Sequence, residues 1–285
     1  MRSIEEIITP VTGCPNNMRG IEYGYTNPIT LQSFVLGEAC YDTKIGRVLF
    51  VHTKFSQNGD QEINKLALKV MGKNYFQAEH PTSFYKIEMM KSMRYDILKS
   101  RLENTYKIRN PPSIGTKRFI NEDLLTHKQY QALLKLTWNY VIVYDDQNSD
   151  NLDFLQNDIS QLDDQNIEIY AGSYGVLNIK NSENNNVDIY MKDGKFPVPK
   201  FNWFVIRSGP KATAFIVYNN LKMTSDEIKA STICESKCEK ITWITTLLMN
   251  QNYKNKNGGY ILCCDLNELN MLPMPHLKGV TQLYK

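Results

Sequence analysis

The spacing of apolar and polar positions along the chain predicts strands that alternate with short helices. Residues 46–55 (GRVLFVHTKF) alternate with the period of two that is typical of a half-buried strand. Similar patterns predict further strands at 140–144, 167–171, 174–179, 187–191, 203–207, 214–218 and 260–264. Apolar residues at three- and four-residue intervals, together with helix-start signals, predict helices at 60–72, 83–102, 121–136, 151–161, 225–231 and 241–250.

This order of elements predicts an α+β fold with a mixed, largely antiparallel central sheet flanked by helices. The composition agrees, because 42% of the 285 residues are hydrophobic and 22% are charged, as in globular proteins. No apolar run approaches the ~20 residues that span a bilayer, so we expect no membrane-spanning segment.

The charge distribution bears on the class of partner. Lys and Arg number 33 against 30 Asp and Glu, a net charge of +3, whereas proteins that bind the phosphate backbone usually carry a strong basic excess. Residues 145–168 contain eight acidic side chains and neither Lys nor Arg. This stretch would repel a polyanion unless a metal neutralised it, although a solvated acidic helix face has the same composition. Nucleic acid is therefore a disfavoured partner.

Six cysteines suggest either disulfides or a metal site. They are Cys14, Cys40, Cys234, Cys238, Cys263 and Cys264. Zinc is disfavoured because adjacent cysteines are awkward ligands for one tetrahedral ion. Two neighbours in sequence seldom bond each other, so we expect Cys263 and Cys264 to pair with Cys234 and Cys238, leaving Cys14 for Cys40. The N-terminus lacks the apolar core of a secretory signal, which predicts an intracellular protein, with secretion as the alternative.

Several blocks together resemble the DNA/RNA non-specific endonuclease family, particularly its invertebrate branch. They occur in the family's order and lie at 37–42, 46–53, 170–177, 196–203, 234–243 and 259–264. The resemblance implies an N-terminal arm at 1–36, an endonuclease-like domain at 37–265 and a C-terminal tail at 266–285. It also implies a sheet-based core that carries a ββα-metal site.

Active members of that family hydrolyse phosphodiesters with a His general base in an Arg-Gly-His segment and with an Asn-bound Mg²⁺. The base must take a proton from water near neutral pH, and a hard cation must stabilise the negative charge on the phosphate. Mg²⁺ prefers oxygen ligands and keeps several waters, so one Asn carbonyl can anchor it.

Carried over residue by residue, the resemblance implies that this site has been lost. The Arg position holds Phe119 and the general-base position holds Asn121, whose amide cannot accept a proton at a useful pH. Ile142 replaces a supporting Asn, and Ile159 replaces a Glu. The metal-binding Asn is retained as Asn151. We therefore predict no catalytic residue and no metal cofactor, with Mg²⁺ at Asn151 as the alternative.

The chain has four histidines that could substitute for the missing base. His52 belongs to a strand, where a structural role is expected, and His80 precedes a proline. His127 lies six residues after Asn121 in the same predicted helix and faces a different direction, while His276 lies in the tail. None is expected to rebuild the site.

The sequence blocks that resemble the family are retained, whereas its catalytic residues are replaced. This combination favours a structural protein over an enzyme. Near-neutral charge lowers self-repulsion, so we expect association with copies of itself as a homo-oligomer or crystalline lattice. This behaviour is similar to that of polyhedrin-type proteins, including those of the nudivirus kind, which crystallise around virions in occlusion bodies in the host nucleus. Two alternatives remain: a Mg²⁺-dependent nuclease with a rearranged site, and a module that binds nucleic acid without cutting it.

Overall fold

The centre of the molecule is a nine-stranded sheet. The computed structural model describes residues 6–8, 11, 13–26, 33–56, 94–118, 139–144, 151–162, 166–269 and 279–285, and this sheet is counted within them. Its strands follow the order β1 (Glu6–Ile8), β2 (Arg19–Thr26), β3 (Ser33–Asp42), β4 (Arg47–Ser56), β7 (Asn166–Tyr174), β12 (Phe201–Ser208), β13 (Lys211–Tyr218) and β14 (Ile261–Cys264). A ninth strand, β15 (Gln282–Leu283), pairs with the start of β13.

Neighbouring strands in this sheet are antiparallel, except that β15 runs parallel to β13. Among the described residues there are also three two-stranded antiparallel ladders. They are β5 (Ser113–Arg118) with β6 (Asn139–Tyr144), β8 (Asn178–Lys180) with β9 (Asn186–Asp188), and β10 (Tyr190–Lys192) with β11 (Lys195–Pro197). The predicted α+β class with a largely antiparallel sheet is confirmed.

One predicted strand, 174–179, is wrong. β7 continues through Tyr174, and the chain then turns at Gly175, whose φ is +69°. A left-handed residue interrupts the extended backbone, so the next strand starts only at Asn178. The alternation on both sides of Gly175 belongs to two different ladders.

The described helices are short. They are α1 (Tyr95–Ser100), which continues as a π-helical turn (Arg101–Thr105), then α2 (Asn151–Ser160), α3 (Ser225–Ala230) and α4 (Thr245–Leu248). The helix predicted at 241–250 is correct only over α4: residues 241–244 are not helical, and Asn250 and Gln251, which both have a φ of 52°, break the helical path beyond it. The helices predicted at 60–72 and 121–136 lie outside the described residues, as does the first part of the one predicted at 83–102.

The two faces of the central sheet carry two separate hydrophobic cores. Tyr170, Trp203 and Ala214 point to one face, which we call the first face. Their sequence neighbours Ala171, Phe204 and Phe215 point to the second face, where α2 and α4 pack. Successive residues of a strand point to opposite sides, so the two cores are divided by the sheet itself.

Three disulfide bonds hold the chain together, and all six cysteines are paired. Cys14 bonds Cys40, Cys234 bonds Cys264, and Cys238 bonds Cys263. The bond between Cys14 and Cys40 and the grouping of Cys263 and Cys264 with Cys234 and Cys238 agree with the expectation from the sequence, which left open which of these four bonds which. A zinc site at these positions is excluded because a disulfide sulfur is no longer a thiolate ligand.

Both ends of the described chain join the central sheet. β1, β2 and the start of β3 come from the predicted N-terminal arm, and β15 comes from the predicted tail. The backbone N–H of Tyr284 donates to Ala212, and the Thr213 hydroxyl donates to the carbonyl of Tyr284 at 2.7 Å. Among the described helices, none has the length and apolar character needed to cross a bilayer.

Candidate functional site

A hairpin followed by a helix occupies the region to which the sequence assigns the ββα site. β5 and β6 form the hairpin, and α2 is the next described element after β6. Asn219, which is 3% exposed, ties this hairpin to the central sheet. Its Oδ1 accepts from the backbone N–H of Val143 at 2.7 Å, and its Nδ2 donates to the Pro199 carbonyl at 2.9 Å. The hairpin is therefore held against the end of β13.

Asn151 is the first residue of α2 and is fully buried. Its Nδ2 donates to the carbonyl of Asn255 at 3.0 Å and to the carbonyl of Gly259 at 2.8 Å. These two bonds attach the start of the helix to the segment that leads into β14. The Oδ1 of Asn151 is buried and has no hydrogen-bond partner within the described ranges.

The surroundings of Asn151 do not fit the magnesium ion that the resemblance implies. Mg²⁺ in proteins usually keeps several of its waters and therefore needs open space next to its protein ligand. The Oδ1 of Asn151 is instead sealed from solvent.

Asp158 lies on the second face, one residue before the position where the family has a Glu. It is 1% exposed and accepts from the backbone N–H of Thr246 at 2.9 Å and of Leu247 at 3.0 Å. These are N–H groups of the first turn of α4, which have no acceptor inside the helix. The carboxylate therefore caps α4 and is committed to a structural role.

The segment between α4 and β14 contains the two carbonyls that accept from Asn151, and it reverses direction before it reaches them. Asn250 and Gln251 adopt left-handed conformations, which turn the chain back toward α2. Asn252 stabilises this turn by donating its Nδ2 to the carbonyl of Thr246 at 3.0 Å. Two consecutive non-glycine residues with positive φ cost conformational free energy, which the surrounding contacts must offset.

The remaining positions of the predicted site are only partly described. Ile142 lies in β6, where its backbone is opposite Gly115. Ile159 lies on α2, is half-buried, and packs against the second-face core. Phe119 and Asn121 lie outside the described residues.

His52 lies on the opposite side of the sheet from Asn151. It is directly opposite Tyr170 in the β4–β7 ladder, and the two rings stack with centroids 4.1 Å apart. Tyr170 belongs to the first-face core, whereas α2 packs on the second face. His52 therefore cannot act as a base at Asn151. His80, His127 and His276 lie outside the described residues.

A row of polar groups surrounds His52 on the first face, and sequence reasoning missed it. The Nδ1 of His52 lies 3.8 Å from a carboxylate oxygen of Glu38, and Tyr170 donates its hydroxyl to Glu168 at 3.1 Å. Arg207 lies 3.4 Å from the same Glu168 carboxylate. Burial raises the pKa of the Tyr170 hydroxyl well above its usual value, and the charge of Glu168 adds to the shift. The row spans four strands from distant parts of the sequence, so no local motif could have revealed it.

Comparison with known proteins gives little further guidance. No protein-family model matches the chain, and no curated protein matches it. Among solved structures, the chain is similar to a chain of the EndoG/EndoGI complex, whose structure was described for the mechanism of EndoG inhibition. The two are 14% identical, the match covers 66% of this chain and 73% of that chain, and the TM-score is 0.37. A TM-score this low does not establish a common fold.

Proposed function

We propose that this chain is a non-catalytic protein that keeps an endonuclease-like hairpin and helix for structure and works as a self-assembling structural protein. The observation that carries this proposal is the state of Asn151. Its amide is fully buried and donates both N–H groups to backbone carbonyls, so it joins two segments of the chain. A residue that must reach a hydrated metal and a phosphate would need access to solvent.

Two other features support the absence of catalysis. The resemblance assigns Asn121 to the general-base position, and an amide cannot accept a proton from water near neutral pH. His52, which has the required chemistry, is separated from Asn151 by the central sheet. A base and its metal must act on the same phosphate, so groups on opposite faces cannot cooperate.

Self-assembly is supported by the low net charge and by the three disulfide bonds. A net charge of +3 on 285 residues gives little long-range repulsion between copies. Three disulfides restrict the unfolded state and suit a protein that must persist in a dense array. In this proposal the protein forms the matrix of viral occlusion bodies in the host nucleus and encloses virions.

One preparation of the purified protein tests both parts of the proposal. Incubation with plasmid DNA or with RNA and Mg²⁺ is expected to leave the nucleic acid intact. Sedimentation velocity over rising protein concentration is expected to show growing assemblies. Asn151→Asp keeps an oxygen at the candidate metal position, and Asn151→Ala removes it, so the two variants form a matched pair.

Three results would count against the proposal. Mg²⁺-dependent cleavage that survives in Asn151→Asp and disappears in a folded Asn151→Ala would establish a nuclease with a rearranged site. A protein that stays monomeric up to millimolar concentration would refute the proposed self-assembly. Nucleic-acid retention that weakens with salt, without cleavage, would favour a binding module instead.

A further inference from the structure

The edge strand β14 has two residues, Ile261 and Cys263, whose backbone groups face away from β13. In the described part of the chain, β14 is the last strand on its side of the sheet and pairs with β13. The N–H of Tyr218 donates to the carbonyl of Tyr260 at 2.9 Å, and hydrogen-bonded pairs alternate along an antiparallel ladder. Counting from this pair, the backbone groups of Leu262 and Cys264 face β13, and those of Ile261 and Cys263 face outward.

Both outward backbone groups of Cys263 are occupied by residues 234–238, which we call the edge cover. The N–H of Lys237 donates to the carbonyl of Cys263 at 2.7 Å. The N–H of Cys263 donates to the hydroxyl of Ser236 at 3.3 Å. At Cys263 the edge cover thus takes the hydrogen bonds that another strand would otherwise make.

Two disulfides fix the edge cover, one on each face of β14. Cys264 lies in the first-face core and bonds Cys234 at the start of the cover. Cys263 lies in the second-face core and bonds Cys238 at its end. Because adjacent strand residues point to opposite faces, the cover must pass around the strand edge to reach both partners. Lys237 adds an ion pair with Glu268.

Unpaired strand edges are templates for pairing with other chains, and proteins often cover them with a loop. We propose that the edge cover is a redox-dependent guard. While both disulfides are intact it blocks strand addition at β14, and after their reduction the edge becomes a docking site for β14 of a second copy. This inference goes beyond the proposed function and does not depend on it.

The reductant in this proposal is a dithiol. One thiolate attacks a sulfur of the Cys234–Cys264 bond, and the departing cysteine leaves as a thiolate that takes a proton. The second thiol of the reductant then releases the other cysteine and closes its own disulfide, so two electrons and two protons pass to the protein. Cys234 is 8% exposed and Cys238 is 1% exposed, so we expect the Cys234–Cys264 bond to be reduced first.

A second copy is the occupant that the geometry favours. The outward groups of Cys263 are one N–H and one C=O, which is a self-complementary pair. Two antiparallel copies of β14 related by a two-fold axis through Cys263 would exchange both hydrogen bonds. All four side chains of β14 are at most 2% exposed, so the pairing would be made by the backbone.

The test uses alanine variants of the full chain under non-reducing conditions. The four-alanine variant carries Cys234→Ala, Cys238→Ala, Cys263→Ala and Cys264→Ala. Its matched control is Cys14→Ala with Cys40→Ala, because the three disulfides close segments of similar separation, 26, 30 and 25 residues. A blocking variant replaces Cys263→Ala by Cys263→Pro in the four-alanine background, which removes the outward N–H.

Sedimentation velocity and amide exchange give the readouts. We expect the four-alanine variant to associate further than the wild type, and the control and the proline variant to sediment like the wild type. Amide exchange at residues 261–263 should rise about tenfold in dilute four-alanine variant. A folded four-alanine variant that sediments like the wild type, or a control that associates equally, would refute the guard.

A separate measurement covers the case in which the four-alanine variant does not fold. Wild-type protein is titrated with a dithiol while exchange at 261–263 and at the central strand β12 is followed together. Exchange that rises at 261–263 before it rises in β12 supports an opening edge. Simultaneous loss of protection in both segments contradicts it.

Discussion

At the scale of single residues, the absence of a side chain at Gly172 leaves the space in which the Trp203 indole packs. It lies in β7 opposite Trp203, and the indole occupies the space beside it. A Cβ placed on Gly172 would lie 2.2 Å from the carbonyl oxygen of Leu49 and 2.5 Å from the Trp203 ring. Neither group can move easily, since one is backbone and the other is a fully buried side chain.

We therefore expect Gly172→Ala to lower the free energy of unfolding by about 3 kcal/mol through overpacking. Chemical denaturation measures this change. Gly194→Asn is a suitable control because nothing lies within 4 Å of the added Cβ and Asn tolerates its φ of +64°. Equal effects of the two substitutions would show that space at Gly172 is not the limiting factor.

At the scale of elements, helix α4 depends on a carboxylate from another helix. A four-residue helix has little intrinsic stability, and its first N–H groups need an external acceptor. Asp158 on α2 supplies both carboxylate oxygens to Thr246 and Leu247. The cap also holds α2 and α4 together on the second face of the sheet.

Asp158→Asn should lower the free energy of unfolding by about 2 kcal/mol, because an amide N–H₂ would face a backbone donor in a buried site. Urea unfolding is the measurement, with Asp153→Asn on the exposed side of α2 as the control. The control should change stability by less than about 0.5 kcal/mol. If the cap contributed nothing, the two variants would have the same free energy of unfolding.

At the scale of the whole molecule, buried tyrosines predict the response to alkali. Burial raises the pKa of Tyr170 and of Tyr218 above the usual value of about 10. The unfolded chain therefore releases these protons at a lower pH than the folded protein does. Their contribution to stability is complete below about pH 10 and is lost as the pH rises through the folded-state pKa.

The free energy of unfolding should fall by about 1.4 kcal/mol per pH unit for each such tyrosine above pH ~10. Urea unfolding at stepped pH values gives the slope, and tyrosinate absorbance reports ionisation. Tyr170→Phe should reduce the slope by the contribution of one proton, about 1.4 kcal/mol per pH unit. An unchanged slope in this variant would mean that Tyr170 already ionises in the folded state.

Much of the fold was predictable from the sequence because strand alternation and helical spacing are local properties. The strands at 203–207 and 214–218 and the start of α2 at Asn151 agree with the structure within a few residues. The errors at 174–179 and 241–250 arise where residues with positive φ interrupt an apolar pattern. Such residues change the backbone direction without changing hydrophobicity.

What the sequence determined by itself is the α+β class, the grouping of the cysteines and the identity of the residues at the resemblance-assigned site. What only the tertiary structure decided is their arrangement in space. It placed His52 and Asn151 on opposite faces of one sheet and enclosed the Asn151 amide between two backbone carbonyls. It also wrapped the edge cover around β14. The physical reason is that local patterns encode which way a residue points, whereas strand order and long-range contacts determine what it meets.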